Sequence, residues 1–446
     1  MYLNLGVLAA LYSLQAVSGK SHSGCQWNTL DGKPSIILGH RGEKAYMPEH
    51  TLGSYELAAF EGAEYIEPDL VMTRDGVVVI VHDLGLGRNT NIQDLPQFAD
   101  RKRHFVYDGK YTSFNETDWY VFDFDYAELK QLYNVREKTC KQCTDYLNNV
   151  FHIPTFEEYL VDIERLKMIH NNKSFGVVPE LKSPEIFNEI IANKTGKVDR
   201  HFEKIVLGLF EKHGYNVTKQ PEGFKAPNVF DNFDGKNLLD YAVNIEPKFR
   251  NENKVAGIQS FDLDTITYLK GVTSIPLLYL DQDTPHLYTP KGIQQLAGVV
   301  DVFGFNKNFL VSGPEKYFKS KGNKYNEDEI KAMGGFLTPK GIVSACHANG
   351  IAVSTYTHYD SKQANGLICQ QDKGKSSSVA VQKRSTMFEN IKRGINFARD
   401  TDRDSFCPSN KREELYHFFE LGVDYMFCEN IFEAQMLRLG YHYERN

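Results

Sequence analysis

The 446-residue sequence lacks an excess of basic residues, which bears on whether the protein binds nucleic acid. Its 51 Lys and Arg residues are fewer than its 58 Asp and Glu residues, so the formal net charge is −7. Proteins that hold nucleic acid through its phosphates carry a basic surface, so we expect no nucleic-acid partner. Chemistry on an anionic substrate would need a local group of cations.

The sequence also lacks an apolar run of the about 20 residues that a bilayer-spanning helix needs. A shorter apolar run lies at the N-terminus, over residues 3–14, and small residues follow it up to Gly19. No Lys or Arg precedes this run, but its length and its small-residue end predict a signal peptide over residues 1–19. We expect a secreted, extracellular protein with no transmembrane segment.

Cysteine is scarce, with seven residues, and a single pair has the spacing of a metal or redox motif. That pair, Cys140 and Cys143, has no second C-x-x-C to complete a zinc site, so a local disulfide is the better interpretation. In an oxidising compartment other cysteines should pair as well, and the odd number leaves at least one free or intermolecular. Export would also make glycosylation sites of the four N-x-S/T sequons, at Asn115, Asn172, Asn193 and Asn216.

Short apolar runs typical of strands recur along the whole chain, separated by helix-like or loop-like segments. This alternation predicts an α/β protein with a parallel sheet or barrel. Eight of the runs are far enough apart for parallel crossovers, and eight is the number of strands in a (β/α)8 TIM barrel. They cover residues 36–39, 65–70, 175–181, 257–261, 276–280, 302–305, 351–356 and 423–427.

A ninth run, residues 77–81, follows the second run too closely for a crossover and should pair antiparallel with it. Asp75 and Gly76 lie between the two runs, and an Asp-Gly pair is a strong signal for a β-hairpin. With these two residues as the loop, His82 would stand opposite Asp69, and a one-residue change of turn would move it nearer Glu67. The predicted fold is a TIM barrel with a β-hairpin after strand 2.

Apolar periodicity predicts helices between the strands, with Thr51 and Thr155 as N-caps. The predicted helices cover residues 52–60, 156–166, 186–210, 263–269, 340–348 and 413–421. Four stretches exceed what a minimal barrel needs: 84–150, 220–253, 312–336 and 360–410. The first is rich in aromatic residues such as Trp119, and we expect it to fold as a small subdomain over the barrel mouth. Residues 20–446 would form one barrel domain with an insertion at about 84–150 and sizeable loop insertions.

Acidic residues stand in a regular pattern at the ends of two predicted strands. Glu67 and Asp69 are two positions apart on one strand, so both side chains point to the same face. Glu180 ends the next strand and should face the same barrel mouth. Unpaired buried carboxylates are costly, and oxygen ligands suit Ca²⁺ or Mg²⁺, so the three residues are predicted metal ligands. Nearby, Glu49 is a candidate for a further carboxylate. His50 could be a ligand too, but its place near a helix start favours a residue that supports a ligand.

Histidines and cations end or follow the same strands. His40 and His82 could act as general acid and general base, and the sequence leaves open which does which. Arg41 and Lys182 would offset the charge of a phosphate group and of its transition state. A lone histidine or a lone Glu-x-Asp is weak evidence, whereas the order and spacing of all these residues predict phosphodiester hydrolysis.

These residues lie in strings that resemble the glycerophosphodiester phosphodiesterase family, and within it the long secreted or periplasmic type. The likeness is close from about residue 36 to 185, and it rests on LGHRG (38–42), PEHT (48–51), AEYIEPDL (63–70), TxDG (73–76), HD (82–83) and PELK (179–182). The resemblance implies a (β/α)8 fold and the products glycerol 3-phosphate and a free alcohol. It implies these roles: metal ligands Glu67, Asp69 and Glu180, acid–base histidines His40 and His82, and phosphate contacts Arg41 and Lys182.

The resemblance is confined to short pieces in the C-terminal half. Tyr356 stands where the family often carries another aromatic residue on a late strand, and it is a candidate for substrate binding. Residues 428–430, Cys-Glu-Asn, replace a commoner acidic ending. These departures concern the pocket for the leaving alcohol rather than the reacting residues.

Two other functions fit part of the pattern. A phospholipase C- or D-like enzyme acting on lysophospholipids or phosphoinositides could use the same two histidines, with the aromatic segment 107–124 as its apolar rim. A non-catalytic surface binding protein could keep the barrel, and loss of a histidine or a carboxylate would favour it. None of these residues is missing, so metal-dependent hydrolysis of a small glycerophosphodiester is the predicted function.

Overall fold

The computed structural model describes residues 27–138, 145–170, 175–217, 256–360, 367 and 406–445. The predicted signal peptide, the Cys140 and Cys143 pair, Asn172 and the stretch 220–253 lie outside these ranges, as does most of the stretch 360–410. Within the described ranges, no helix combines the length and the apolar character that crossing a membrane requires.

Parallel strands form a closed ring with eight positions, which confirms the predicted TIM barrel. The first and last strands of the ring pair with each other, and each remaining position pairs with the one before and the one after. β2 and β3 are the two halves of position 2, and β7 and β8 are the two halves of position 3. In chain order the strands are β1 Ile36–His40, β2 Tyr65–Glu67, β3 Asp69–Met72, β4 Val78–Ile80, β5 Arg103–Asp108, β6 Ser113–Asp118, β7 Gly176–Val177, β8 Glu180–Leu181, β9 Ile258–Ser260, β10 Leu277–Leu280, β11 Val302–Asn306, β12 Ala352–His358 and β13 Tyr425–Cys428.

Prolines interrupt positions 2 and 3 of the ring. Pro68 separates β2 from β3, and Pro179 separates β7 from β8. Proline has no N–H to give to a sheet, so the ladder is lost at these points while the chain continues in the same direction. The Pro68 carbonyl still accepts from the Glu180 N–H at 2.9 Å, and Asp69 then stands in register with Glu180. The interruption therefore leaves Asp69 and Glu180 side by side.

The predicted hairpin after position 2 is present, but its turn is one residue longer than expected. β3 pairs antiparallel with β4, with Leu70 opposite Ile80, so the turn spans residues 74–76. Gly76 has a φ of +85°, the left-handed conformation that closes three-residue hairpin turns. Of the two registers that the sequence leaves open, the structure has the second, which moves His82 nearer Glu67.

Helices follow the strands and cover the outside of the ring. In chain order they are α1 Leu52–Phe60, α2 Tyr126–Leu129, α3 Phe156–Ile169, α4 Pro184–Thr195, α5 His201–Lys212, α6 Leu263–Val272, α7 Pro290–Leu296, α8 Phe309–Ser312, α9 Pro314–Lys321, α10 Glu327–Ala332, α11 Pro339–Ala348, α12 Lys411–Leu421 and α13 Ile431–Arg445. Thr51 and Thr155 cap α1 and α3 as predicted, each accepting a backbone N–H two or three residues into the helix. The single helix predicted over 186–210 is wrong, because Gly196 ends α4 with a φ of +71° before α5 begins.

Two apolar cores fill the interior of the protein, so the polar residues at the strand ends lie at the mouth of the barrel. One fills the inside of the ring, and a larger one lies between the strands and the helices. Each fully buried aliphatic or aromatic side chain contributes about 1.5–3 kcal/mol. The inner core is made of Ile36, Leu38, Tyr65, Val178, Leu278, Leu280, Val302, Ala352, Tyr425 and Phe427.

Residues 84–138 of the predicted insertion pack against the ring. Trp119, Tyr120, Phe122 and Phe124 belong to the larger core, while β5 and β6 form a separate two-stranded hairpin. At the tip of that hairpin, the backbone N–H groups of residues 110–112 donate to the Glu185 carboxylate at 2.6–3.2 Å. The hairpin is thereby attached to the first turn of α4, next to barrel position 3.

Three cysteines, Cys346, Cys407 and Cys428, and three of the sequon asparagines lie within the described ranges. Cys346 and Cys428 are free thiols buried in the larger core. Asn115, Asn193 and Asn216 are exposed.

Candidate active site

Glu67, Asp69 and Glu180 come together at the barrel mouth, as the sequence predicts. One ligand atom from each lies within 4.8 Å of the others, and the residues are 1%, 1% and 7% exposed. It is the one such group in the part of the chain that the structure describes. Three buried carboxylates form the oxygen-ligand set that hard divalent cations take.

The three carboxylates have different proton affinities. Burial, then repulsion from Asp69 and Glu180, raises the pKa of Glu67 well above its usual range. Burial would also raise the pKa of Asp69, but Lys182 and His50 outweigh it and hold that pKa well below its usual range. Burial raises the pKa of Glu180 to about 7, although Lys182 opposes the shift.

Neighbouring groups fix the orientation of Glu67 and Asp69. The Arg41 backbone N–H donates to Glu67 Oε2 at 2.8 Å, and Gln259 Nε2 donates to Glu67 Oε1 at 3.2 Å. His50 Nε2 lies 2.7 Å from Asp69 Oδ2. Gln259 has no role in the sequence-based prediction, because it lies on a strand that is distant along the chain.

His40 and His82 each turn Nδ1 toward a carboxylate. His82 Nδ1 donates to the Asp83 carboxylate, and His40 Nδ1 lies 3.6 Å from Glu429 Oε1. Burial, then the charge of Arg41, lowers the pKa of His40 to about 4 and that of His82 to about 3. Both rings are therefore neutral at neutral pH.

Arg41 and Lys182 place positive charge beside the carboxylates. Lys182 Nζ is 2.8 Å from Glu180 and 3.8 Å from Asp69 Oδ1. Arg41 Nη1 is 3.1 Å from both oxygens of Glu49, and its Nε is 3.6 Å from Asp69 Oδ2. Arg41 Nε is buried and makes no hydrogen bond to a described residue, so one N–H remains for an anionic substrate.

Backbone strain is concentrated at two of these residues. Arg41 and His50 both have a φ of 60°, in the left-handed region that residues other than glycine avoid. Each such residue costs on the order of 1–3 kcal/mol and persists only where its surroundings fix it. Here the His50 N–H and the Ser54 hydroxyl both donate to the Arg41 carbonyl at 3.1 Å. Such strain is typical of functional sites.

Comparison with known families agrees with this geometry. Residues 40–374 match the model of the glycerophosphoryl diester phosphodiesterase family. The chain belongs to this family. The resemblance found in the sequence strings and the prediction that the protein is a phosphodiesterase of this kind are confirmed.

Individual relatives share the family name. The chain is 26% identical over 340 residues to glycerophosphodiester phosphodiesterase GDPD6 of Arabidopsis thaliana, covering 75% of this chain and 77% of that protein. It is 35% identical over 209 residues to the glycerophosphodiester phosphodiesterase of Haemophilus influenzae, covering 43% of this chain and 54% of that protein. A solved structure from Silicibacter pomeroyi, of a protein assigned to the glycerophosphoryl diester phosphodiesterases, aligns with a TM-score of 0.50 at 15% identity, covering 93% and 98% of the two chains. At that identity the structural likeness concerns the fold alone.

Sequence reasoning gave no role to Lys44 and Arg88, which are prominent in the site of this phosphodiesterase. Lys44 Nζ lies 3.0 Å from Glu429 and 3.2 Å from Glu49, and Arg88 Nε donates to Asp83. Both cations closely follow a site histidine in the sequence, a spacing that could have drawn attention to them. Glu49 lies among these cations, and it is not part of the group of three carboxylates.

Tyr356, the predicted substrate contact, lies on β12. Its hydroxyl donates to the Asp281 carbonyl at 2.6 Å, and its ring meets the Phe261 ring edge-on at a centroid distance of 5.9 Å. Lys182 Nζ lies 5.9 Å from the centroid of the same Phe261 ring. The one hydrogen of the Tyr356 hydroxyl is thus engaged by the backbone, and the ring packs beside Phe261.

Proposed function

We propose that this phosphodiesterase hydrolyses glycerophosphodiesters to glycerol 3-phosphate and an alcohol, using a divalent cation and two histidines. The observation that carries the proposal is the buried group of Glu67, Asp69 and Glu180, flanked by two histidines and two cations. The relatives from Arabidopsis thaliana and Haemophilus influenzae are both named glycerophosphodiester phosphodiesterases.

Two observations support Ca²⁺ or Mg²⁺ as the cation that the three carboxylates would bind. Asp69 Oδ1 is buried and accepts no hydrogen bond from a described residue, which leaves a lone pair for a cation. The repulsion that raises the pKa of Glu67 would be relieved by a cation among the three ligands. When bound, such an ion would neutralise phosphate charge and act as a Lewis acid.

Arg41 and Lys182 are suited to hold the phosphate. Lys182 already contacts two of the carboxylates, and Arg41 Nε is a buried donor that faces Asp69. A phosphate oxygen bound here would meet charge-assisted hydrogen bonds in a site of low dielectric. These contacts would strengthen as negative charge builds up on the phosphate in the transition state.

His40 and His82 would move protons through Nε2. The neutral form that burial and Arg41 impose suits the ring that accepts a proton from the attacking hydroxyl group. A bound phosphate opposes the charge of Arg41, so the ring that protonates the leaving oxygen would gain its proton in the complex. Asp83 and Glu429 would stabilise the imidazolium in each case.

Phosphorus NMR of glycerophosphocholine incubated with purified protein would test the proposal. We expect glycerol 3-phosphate as the phosphorus-containing product, and a fall in kcat of about 10²–10⁴-fold in His40→Ala and His82→Ala. His152→Ala is the matched control, because its Nδ1 bonds the Leu132 carbonyl away from the site. Phosphocholine as the product would favour a phospholipase C-like enzyme, and no turnover by folded, metal-supplied protein would favour a binding protein.

We also propose that the protein is exported. The apolar run over residues 3–14 and three exposed sequons support this, and export would allow glycosylation and disulfide formation. Expression in a eukaryotic secretory host, with N-terminal sequencing of the medium, tests it. A mature chain beginning near residue 20 is expected, and an uncleaved chain kept in the cell would contradict it.

A further inference from the structure

The two site histidines are supported by two similar series of contacts. His82 Nδ1 donates to Asp83, Arg88 Nε donates to the other oxygen of Asp83, and Arg88 Nη2 lies 2.7 Å from His82 Nδ1 itself. On the other side, His40 Nδ1 faces Glu429 Oε1 at 3.6 Å, and Lys44 Nζ donates to the same oxygen at 3.0 Å. A cation therefore stands behind the carboxylate of each histidine.

Two glutamates join these cations to each other. Glu49 lies 3.2 Å from Lys44 and 3.5 Å from Arg88, and it also binds Arg41. Glu137 divides its oxygens between the cations: Oε1 is 2.8 Å from Arg88 Nη1, and Oε2 is 2.9 Å from Lys44 Nζ. Of the two, Glu137 makes the shorter contacts, and it alone comes from the predicted insertion.

Burial makes these ion pairs stronger than surface pairs. The Lys44 and Glu137 side chains are 8% and 16% exposed, and that of Arg88 is 24% exposed. Charges so placed interact in a lower dielectric than exposed pairs do. Lys44 and Arg88 would repel each other, and the carboxylate of Glu137 between them sets their separation.

The backbone holds the region of Glu137 close to that of Arg88. The Val135 N–H donates to the Asn89 carbonyl at 2.8 Å, and the Asn91 N–H donates to the Tyr133 carbonyl at 3.1 Å. The chain before Glu137 is thus paired with the chain directly after Arg88. A side chain presented from such a paired segment can fix a neighbour's geometry.

We propose that Glu137 is a positioning residue that couples the insertion to both site histidines through Lys44 and Arg88. It contacts neither the three carboxylates nor Arg41 Nε and Lys182, where the substrate would bind. Its effect on turnover rests on the proposed function, whereas its effect on the histidine rings does not. Glu137 holds the two cations, and the cations hold Asp83 and Glu429. Asp83 bonds Nδ1 of His82, and Glu429 faces Nδ1 of His40 at 3.6 Å.

The test compares Glu137→Gln with Glu128→Gln. Glu128 also lies in the insertion and also bridges two cations, Arg101 at 2.6 Å and Arg74 at 3.4 Å, but its contacts do not lead to the histidines. We expect Glu137→Gln to lower kcat for glycerophosphocholine by about 10- to 100-fold with KM within about twofold, because small misplacements of reacting groups cost that much. Glu128→Gln should keep wild-type kcat.

A second readout does not depend on turnover. Long-range ¹H–¹⁵N spectra of protein labelled in histidine report which ring nitrogen carries the hydrogen. In the wild type we expect His40 and His82 to carry it on Nδ1, since a carboxylate can only accept. At His82 the Asp83 contact is shorter than the 2.7 Å contact of the donor Arg88 Nη2 with the same nitrogen, so Asp83 should decide the position of the hydrogen. Glu137→Gln should shift the signals of both rings, and Glu128→Gln should shift neither.

A folding defect of Glu137→Gln can be distinguished from an effect on the two histidines. Without the charge of Glu137, Lys44 and Arg88 still pair with Glu49 and with their own carboxylates, so the variant should fold, and thermal unfolding checks this. Because Glu137 acts partly through Lys44, its effect on kcat should be smaller in a Lys44→Gln background. Unchanged ring signals in Glu137→Gln, or equal losses in Glu137→Gln and Glu128→Gln, would overturn the proposal. If the wild type does not cleave glycerophosphocholine, the proposed function fails. The histidine signals alone then decide whether Glu137 is a positioning residue.

Discussion

His50 Nε2 lies 2.7 Å from Asp69 Oδ2, and this contact fixes one of the three carboxylates at the mouth. Burial lowers the pKa of His50 even though Asp69 opposes the shift, so the ring is neutral. An ionised carboxylate only accepts, so Nε2 carries the hydrogen, and the Tyr55 hydroxyl donates to Nδ1 at 2.9 Å. His50 therefore supports Asp69 and is not itself one of the group of three carboxylates that could hold a cation.

Loss of this support should weaken metal binding. We expect His50→Ala to bind Ca²⁺ or Mg²⁺ about 10-fold less tightly, since groups that orient metal ligands typically contribute that much. Isothermal titration of the chelator-treated protein measures it. His104→Ala, on the exposed β5 strand, is the control, and equal affinity in His50→Ala and wild type would contradict the role given to His50.

Lys182 should serve the substrate phosphate more than the metal. Lys182→Met removes a cation 2.8 Å from Glu180, so we expect kcat/KM to fall by about 10²-fold while metal affinity stays equal or rises. Steady-state kinetics and metal titration separate the two effects. Lys110→Met is matched, because Lys110 also pairs with a carboxylate, Asp264, at 2.7 Å but lies at the hairpin tip. Weaker metal binding in Lys182→Met would contradict this division.

Tyr356 should act through its ring. Tyr356→Phe removes the hydrogen bond to the Asp281 carbonyl and should cost about 1 kcal/mol of unfolding free energy while kcat/KM stays within about twofold. Tyr356→Ala removes the surface next to Phe261 and should raise KM for glycerophosphocholine. Denaturant unfolding and kinetics on both variants measure these effects. A large loss of kcat in Tyr356→Phe would instead place the hydroxyl at the substrate.

His358 should make the protein less stable in acid. Burial lowers its pKa from 6.5 to about 3, against the opposing effect of Glu414, which accepts from Nδ1 at 3.0 Å while Lys307 pairs with the same oxygen. In the unfolded chain His358 thus binds a proton below pH 6.5, whereas in the folded chain it binds one only below about pH 3. The contribution of His358 to the free energy of unfolding is complete above pH 6.5. Below that pH it falls by about 1.4 kcal/mol per pH unit.

Denaturant unfolding at pH 7, 6 and 5 of wild type and His358→Gln checks this slope. The wild type should lose more unfolding free energy than the variant between pH 7 and pH 5. His104→Gln, at an exposed position, should keep the wild-type slope. Parallel pH curves for wild type and His358→Gln would show that His358 is protonated normally in the folded protein.

Local patterns in the sequence predicted most of the barrel. Apolar runs and their spacing located all eight strand positions, because each must be buried on two faces. They could not fix the length of the predicted turn at Gly76 or predict the break at Gly196, because a left-handed glycine ends an element without changing the apolar pattern. Two registers of His82 therefore stayed open until the structure chose between them.

The same limit applies to the site. Glu67, Asp69 and Glu180 were predicted together because neighbouring parallel strands end at the same edge. The pairing of Lys44 with Glu429 joins residues 385 positions apart, so it depends on closure of the ring. The contacts of Glu137 depend on how the insertion folds back, which no periodicity encodes.

The most direct test of the central claim is hydrolysis of glycerophosphocholine by chelator-treated protein before and after Ca²⁺ or Mg²⁺ is added, with Glu67→Gln beside wild type. Glu116→Gln, on the exposed β6 strand, is the control for the substitution itself. We predict that release of glycerol 3-phosphate stops with chelator, returns with the cation in wild type and Glu116→Gln, and stays absent in Glu67→Gln. Undiminished release in chelator, or full activity in Glu67→Gln, would contradict a catalytic cation held by these three carboxylates.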